Sequence, residues 1–201
     1  MDRTTTAKLK TEILITGLGG QGIVLAGQVL GTAACLADHR QSTLTQSYGP
    51  EARGGACSAQ LIISDKPIHY PYVRNPDILV CMSQTGYEKY RHLLEDNGIL
   101  IIDQDMVRSA DSAGVGVFPI PATRIAEELG RKMMANIVML GFVTSITCAV
   151  SLKGMLSSVA DSVPKGTQDA NLAAFNKGYD FGQALLKARQ KKAAAIKGAG
   201  A

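Results

Sequence analysis

The stretch from Thr11 to Val29 constrains this chain more than any other. Thr-Glu-Ile-Leu-Ile-Thr runs directly into Gly17-Leu18-Gly19-Gly20-Gln21-Gly22 and then into Ile-Val-Leu-Ala-Gly-Gln-Val, so a short apolar strand, a glycine turn and a helix follow one another without a break. Glycine reaches positive φ cheaply and has no Cβ to hold a ligand away, and the first helical N–H groups beyond it point outward toward anions. The spacing of Gly17, Gly19 and Gly22 fits Gly-x-Gly-x-x-Gly in the strand-to-helix setting that a dinucleotide site requires. A tight strand-to-helix crossover with no ligand explains the same residues.

Further along, Ser42 to Ser47 and Cys57 to Ser64 alternate in the manner of strands and are joined by Tyr48-Gly49-Pro50-Glu51-Ala52-Arg53-Gly54-Gly55. An antiparallel element inside an α/β protein is expected there. Arg53, ahead of two glycines, is placed to clamp a carboxylate or phosphate in fork geometry, with Tyr48 and Glu51 to orient it; a surface turn is the competing reading. Asp77 to Met82, a helix from about Thr85 to Glu95 and Ile99 to Asp103 form a β-α-β unit with a right-handed crossover. Ser83 and Gln84 fall at its ligand-binding rim. A strand over Val115 to Pro119, a helix over Ala122 to Gly130, a buried helix over Ile137 to Val150 and a last helix over Gln168 to Arg189 complete the expected elements. Asn136 stands at the entrance of the buried helix as a cap or a ligand donor. Met133, Met134 and Met139 read as gap fillers.

The formal charge of +4 belongs to one end of the chain. Lys187, Arg189, Lys191, Lys192 and Lys197 follow the last acid, Asp180, and the remainder holds 16 bases against 17 acids. With 4 Phe, no Trp and the basic excess in one tail, a nucleic-acid role has little support. Residues 191–201 read as a flexible basic tail behind a single domain of residues 1–190. Cys35, Cys57, Cys81 and Cys148 lie too far apart for a local zinc or iron–sulfur cradle and read as small apolar residues in a reducing, cytoplasmic setting. The amino terminus lacks a signal-peptide core, and residues 137–150 are too few for a membrane span, which needs about 20. Asp38 stands roughly where an acid would hold an adenine ribose, but no second apolar strand precedes it, which weakens a nicotinamide role.

Gly-Leu-Gly-Gly-Gln-Gly and Gln-Ser-Tyr-Gly-Pro-Glu-Ala-Arg-Gly-Gly, taken together, resemble the gamma subunit of the 2-oxoacid:ferredoxin oxidoreductases. The same module occurs as a domain of single-chain pyruvate:ferredoxin oxidoreductase and as the small subunit of indolepyruvate oxidoreductase. The resemblance covers roughly Thr11 to Phe181. One departure is that many members carry Val-Arg in the strand after Gly-Gly, where this chain has Leu61-Ile62-Ile63-Ser64. The fold implied is a three-layer α/β/α with a mostly parallel, mixed sheet and a Rossmann-like first unit. The activity implied is oxidative decarboxylation of a 2-oxoacid with coenzyme A to acyl-CoA, carbon dioxide and reduced ferredoxin, 2-oxoglutarate being favoured over pyruvate and indolepyruvate. Thiamine diphosphate, magnesium and iron–sulfur clusters are implied on alpha and beta partners, with delta as a further partner, and none is assigned to this chain alone. Gly17, Gly19, Gly20, Gln21, Gly22, Tyr48, Glu51, Arg53, Gly54, Gly55 and Asn136 are the candidate binding residues; coenzyme A, the thiamine phosphates and the partner subunit itself all remain candidates for what they touch. A docking subunit without ligand contact and an independent NAD-binding dehydrogenase stand as alternatives.

Overall fold

The computed structural model describes residues 9–48, 55–110 and 116–199, the last four as backbone alone. Strand β1, Lys10–Leu18, leads into α1, Ile23–Leu36, and the chain continues through β2, Gln41–Tyr48, and β3, Ala56–Ser64. Then follow β4, Ile78–Cys81; α2, Gln84–Tyr90, with a short 3-10 turn; β5, Ile99–Asp103; and β6, Gly116–Ile120. Four helices close the chain: α3, Ala122–Glu128; α4, Ala135–Thr147; α5, Leu152–Ser162; and α6, Gln168–Ala199.

The strands form one six-stranded sheet in the order β2-β3-β1-β4-β5-β6. β1, β4, β5 and β6 are parallel, whereas β3 is antiparallel to both of its neighbours, β1 and β2. The α1 crossover therefore carries the chain one place past the neighbouring position, and the β2–β3 hairpin fills the gap. This is the antiparallel element that the alternation of residues 42–64 predicts, set in the mixed α/β sheet expected.

Central strands are apolar on both faces because both faces are covered. Ile13 and Ile15 of β1, Val80 of β4 and Ile101 of β5 join the core under α1 and α4, while Leu14, Leu79 and Leu100, each one residue out of phase, face the smaller core beneath α2. Pairing fixes this phase: Ile13 lies opposite Ile78 and Leu14 opposite Leu79. A slip of one residue would turn both apolar sets onto the wrong face.

Helix α4 is buried along nearly its whole length and packs on α6 through a glycine crossing. A Cβ on Gly141 would lie 1.9 Å from the carbonyl oxygen of Phe175, and one on Gly178 would lie 1.9 Å from that of Val138. Gly27 and Gly31 give α1 the same closeness to the sheet: a Cβ on Gly27 would meet Leu44 at 2.8 Å and Ala59 at 3.0 Å. Such packing offsets the roughly 1 kcal/mol helix cost of each glycine.

Two expectations change. α5 has no counterpart in the sequence reading, and α6 runs ten residues past Arg189, to Ala199. Met134 and Met139 are core residues as expected, but Met133 is 85% exposed on a 3-10 turn ahead of α4. Cys57 and Cys81 are buried, and burial pushes the Cys57 thiol up from its ordinary value; Cys35 is half-buried, and Cys148 is exposed in a left-handed conformation at the end of α4.

Candidate functional site

Because β1, β4, β5 and β6 are parallel, their carboxyl ends share one rim, and β2 ends there as well. Leu18 and the glycine turn project from β1, Tyr48 ends β2, and Gly55 precedes β3 at that same rim. The Gly19 amide donates to the Gly55 carbonyl at 3.0 Å, so the two glycine-rich segments are bonded to each other. Glu51, Arg53 and Gly54 lie outside the described residues, within a connection whose two ends, Tyr48 and Gly55, are both fixed at this edge. Tyr48 is 63% exposed, and its hydroxyl donates to Gln46 Oε1 at 3.2 Å.

The glycines do different things. Gly17 is buried at the strand end, where a Cβ would press to 2.5 Å from Gln21 Oε1 and 2.6 Å from Ile23 Cδ1; it is a packing glycine. Gly20, at φ +93°, has open space above it, and Gly22, at φ +71°, is the residue from which α1 starts. Positive φ at both is the reason that neither is a bulkier residue. Of the turn's N–H groups, Gly19 donates to Gly55 and Gln21 to the Leu18 carbonyl, whereas those of Gly20 and Gly22 have no acceptor among the described residues. These two donors, at the positive end of a fourteen-residue helix, remain for an anion.

Gln21 and Asn136 hold the turn in place and do not reach outward. Gln21 Oε1 accepts from the Leu18 amide at 2.6 Å, and its Nε2 donates to the Met82 carbonyl at 3.1 Å, tying the ends of β1 and β4 together. Asn136, buried in the first turn of α4, accepts from the Ile137 amide at 2.9 Å through Oδ1 and donates through Nδ2 to the Gly22 carbonyl at 3.2 Å. It is thus both a cap for α4 and a latch between α4 and the turn. A Cβ on Gly22 would meet that Nδ2 at 2.3 Å.

Ser83 and Gln84 sit on the rim but are engaged structurally. Ser83 Oγ caps α2 by accepting from the Gly86 amide, and Gln84 Oε1 accepts from the Arg108 amide. Asp103, at the end of β5, is a group that sequence reasoning treated only as a strand terminus. It is fully buried; Oδ2 accepts from the Thr123 amide at 3.0 Å and the Thr123 hydroxyl at 2.6 Å, and Oδ1 from the Asp105 amide at 3.2 Å. Burial pushes its carboxyl above the ordinary value, against the opposing pull of those hydrogen bonds. Its position immediately after an apolar strand and before a turn was the available signal.

Asp38 lies at the far end of α1 from the glycine turn, where its Oδ2 accepts from the Ser151 amide. Fourteen helical residues, about 21 Å at 1.5 Å each, separate it from the site, so it supplies no ribose acid there. Among the described residues, no group of three or more His, Cys, Asp or Glu is arranged to hold a metal ion, and no helix is long and apolar enough to cross a membrane.

A mixed sheet whose carboxyl rim joins a helix-leading glycine turn to a hairpin loop defines an α/β protein built to meet an anionic group or a partner at that edge. The chain belongs to the pyruvate ferredoxin/flavodoxin oxidoreductase family, whose model matches residues 12–181. It is 49% identical over 181 residues to 2-oxoglutarate synthase subunit KorC of Methanocaldococcus jannaschii, an alignment that covers 89% of this chain and 97% of that one. Identity to pyruvate synthase subunit PorC of Methanothermobacter thermautotrophicus is 33% over 175 residues, covering 84% and 94% of the two chains. Among solved structures, the gamma subunit of a keto/oxoacid ferredoxin oxidoreductase from Geobacter sulfurreducens superposes with a TM-score of 0.77 at 34% identity, covering 87% of this chain and 99% of that one.

Proposed function

We propose that this chain is the gamma subunit of a cytoplasmic 2-oxoglutarate:ferredoxin oxidoreductase, in which it completes a complex with alpha and beta partners. The complex oxidatively decarboxylates 2-oxoglutarate with coenzyme A to succinyl-CoA and carbon dioxide and passes the electrons to ferredoxin. The choice of 2-oxoglutarate rests on the 49% identity to a relative named for that substrate, against 33% to one named for pyruvate. Thiamine diphosphate on the partners supplies the electron sink for decarboxylation. This chain's part is positioning.

One observation carries that part: the Gly19 to Gly55 hydrogen bond, which makes a single surface of two segments more than thirty residues apart. The free amides of Gly20 and Gly22, together with Arg53 from the adjoining loop, offer backbone donors and a guanidinium to the phosphates of coenzyme A. Charge-assisted hydrogen bonds of this kind contribute about 1.5–3 kcal/mol each, so Arg53→Ala is expected to raise the KM for coenzyme A roughly tenfold to a hundredfold. The test is to reconstitute the complex with Arg53→Ala and measure coenzyme-A-dependent viologen reduction over a panel of 2-oxoacids. A raised KM with intact assembly supports ligand positioning, and failure of the variant to co-purify with its partners assigns the rim to docking. Faster turnover of pyruvate than of 2-oxoglutarate by the wild-type complex would overturn the substrate.

A further inference from the structure

The two edges of the sheet are treated differently. At the β6 edge, Pro119 has no N–H to offer, and Arg189 reaches over from α6 to donate to the Val117 carbonyl at 2.5 Å with its guanidinium 4.2 Å above the Phe118 ring. A proline and a long cation over the backbone are recognised ways of blocking strand addition. The β2 edge has neither. Its eight residues, Gln-Ser-Thr-Leu-Thr-Gln-Ser-Tyr, include no proline, glycine or charge, and they pair with β3 in unbroken register from Gln41 opposite Ser64 to Tyr48 opposite Cys57, so no bulge twists the edge away. Among the described residues, no side chain or loop hydrogen-bonds to the outer backbone of this strand. The Thr45 hydroxyl is the one buried side-chain oxygen among the described residues that lacks a partner.

We propose that the β2 edge is an interface between two copies of this chain, which pair antiparallel about a two-fold axis at Thr45 to make one sheet across both. An open edge accepts only another extended strand, because the complement of its N–H and C=O groups is a second such row. Charge selects an identical strand. A two-fold pairing sets each side chain against one from the other copy, and an uncharged strand meets itself without repulsion. With the axis at Thr45, Thr45 faces its counterpart and the two hydroxyls gain each other as partners, while Thr43 faces Ser47 and Leu44 faces Gln46. Directly opposed residues then lie on the same face of the sheet, as pleating requires.

The experiment is the mass of the purified full chain in solution, by sedimentation velocity across a concentration series, for the wild type and two variants. The wild type is expected to be a dimer. Thr43→Lys with Ser47→Lys sets lysine against lysine at two cross-strand positions and is expected to raise the dissociation constant at least tenfold while the thermal melt of the separated chain stays within a degree or two. Thr43→Lys with Ser47→Glu carries as many charges but opposes unlike ones, and it is expected to restore the dimer. A monomeric wild type, a dimer indifferent to the lysine pair, or failure of the Lys/Glu variant to recover would each overturn the proposal. So would β2 amides that become protected from hydrogen exchange only when the other subunits are added, since the occupant would then be a partner's strand.

Discussion

Substituting Gly141 by alanine sets two effects of opposite sign against each other. In an exposed helix the change is stabilising by about 1 kcal/mol, because glycine has the greater backbone freedom to lose. Here the new methyl would stand 1.9 Å from the Phe175 carbonyl oxygen and 2.8 Å from the Tyr179 amide nitrogen, both main-chain atoms of α6. No rotamer change relieves a clash with backbone, so α4 and α6 must separate by an ångström or more at their crossing. That loosens Phe142 and Phe175, which are fully buried on either side of it. Overpacking of a core costs about 1–3 kcal/mol. With no flexible neighbour to yield, the upper end applies, leaving a net loss of about 2 kcal/mol after the propensity gain. For a chain of this size, each kcal/mol moves the melting temperature by about 2–4 °C, so the expected fall is roughly 4–8 °C. Calorimetry with parallel urea titration measures it. A Gly141→Ala protein that melts at or above the wild-type temperature would refute the reasoning, because helix propensity would then have outweighed the crossing.

Two further outcomes follow from the rim. Gln21→Ala removes both ties of the carboxamide, leaving the Leu18 amide and the Met82 carbonyl without their partner; a loss of about 1–3 kcal/mol in urea unfolding is expected, with a higher KM for coenzyme A in the assembled complex. Asp103 bears on pH: its carboxyl binds a proton more readily in the folded state than in the unfolded one, so stability falls as pH rises through its raised pKa. Asp103→Asn abolishes that decline. The stability difference between variant and wild type should shift in the variant's favour from about pH 3.8 upward, and parallel pH dependences for the two proteins would rule this out.

Much of this architecture is legible in the sequence because local and tertiary signals agree. The glycine turn is flanked by a strand and a helix in immediate succession, and β5 falls over Ile99–Asp103 as its apolar run predicts. α5 escaped because Leu152, Met155, Leu156 and Val159 are diluted by serines; Ser151, whose hydroxyl accepts from the Gly154 amide, was the cap that marks its start. α6 outran its expected end because the alanines and lysines that resemble a loose terminus are also strong helix formers. At the site, glycine spacing identified the rim but not the division of labour within it. That Gly17 packs, that Gln21 reaches Met82 and that Asn136 bonds the Gly22 carbonyl all depend on groups 60 to 115 residues away, beyond the reach of a local pattern.

The reversed strand β3 leaves the segment at residues 49–54 held like a bead between two clamps, with Tyr48 and Gly55 each gripped by the hydrogen-bond ladder on either side of it. Its ends are set by the sheet, so its length and chemistry can change without disturbing a single core residue, and closing a loop twice as long costs only about 0.6 kcal/mol. A scaffold of this form lets one frame serve different ligands or neighbours by exchanging a hexapeptide, while the opposing glycine turn stays as it is.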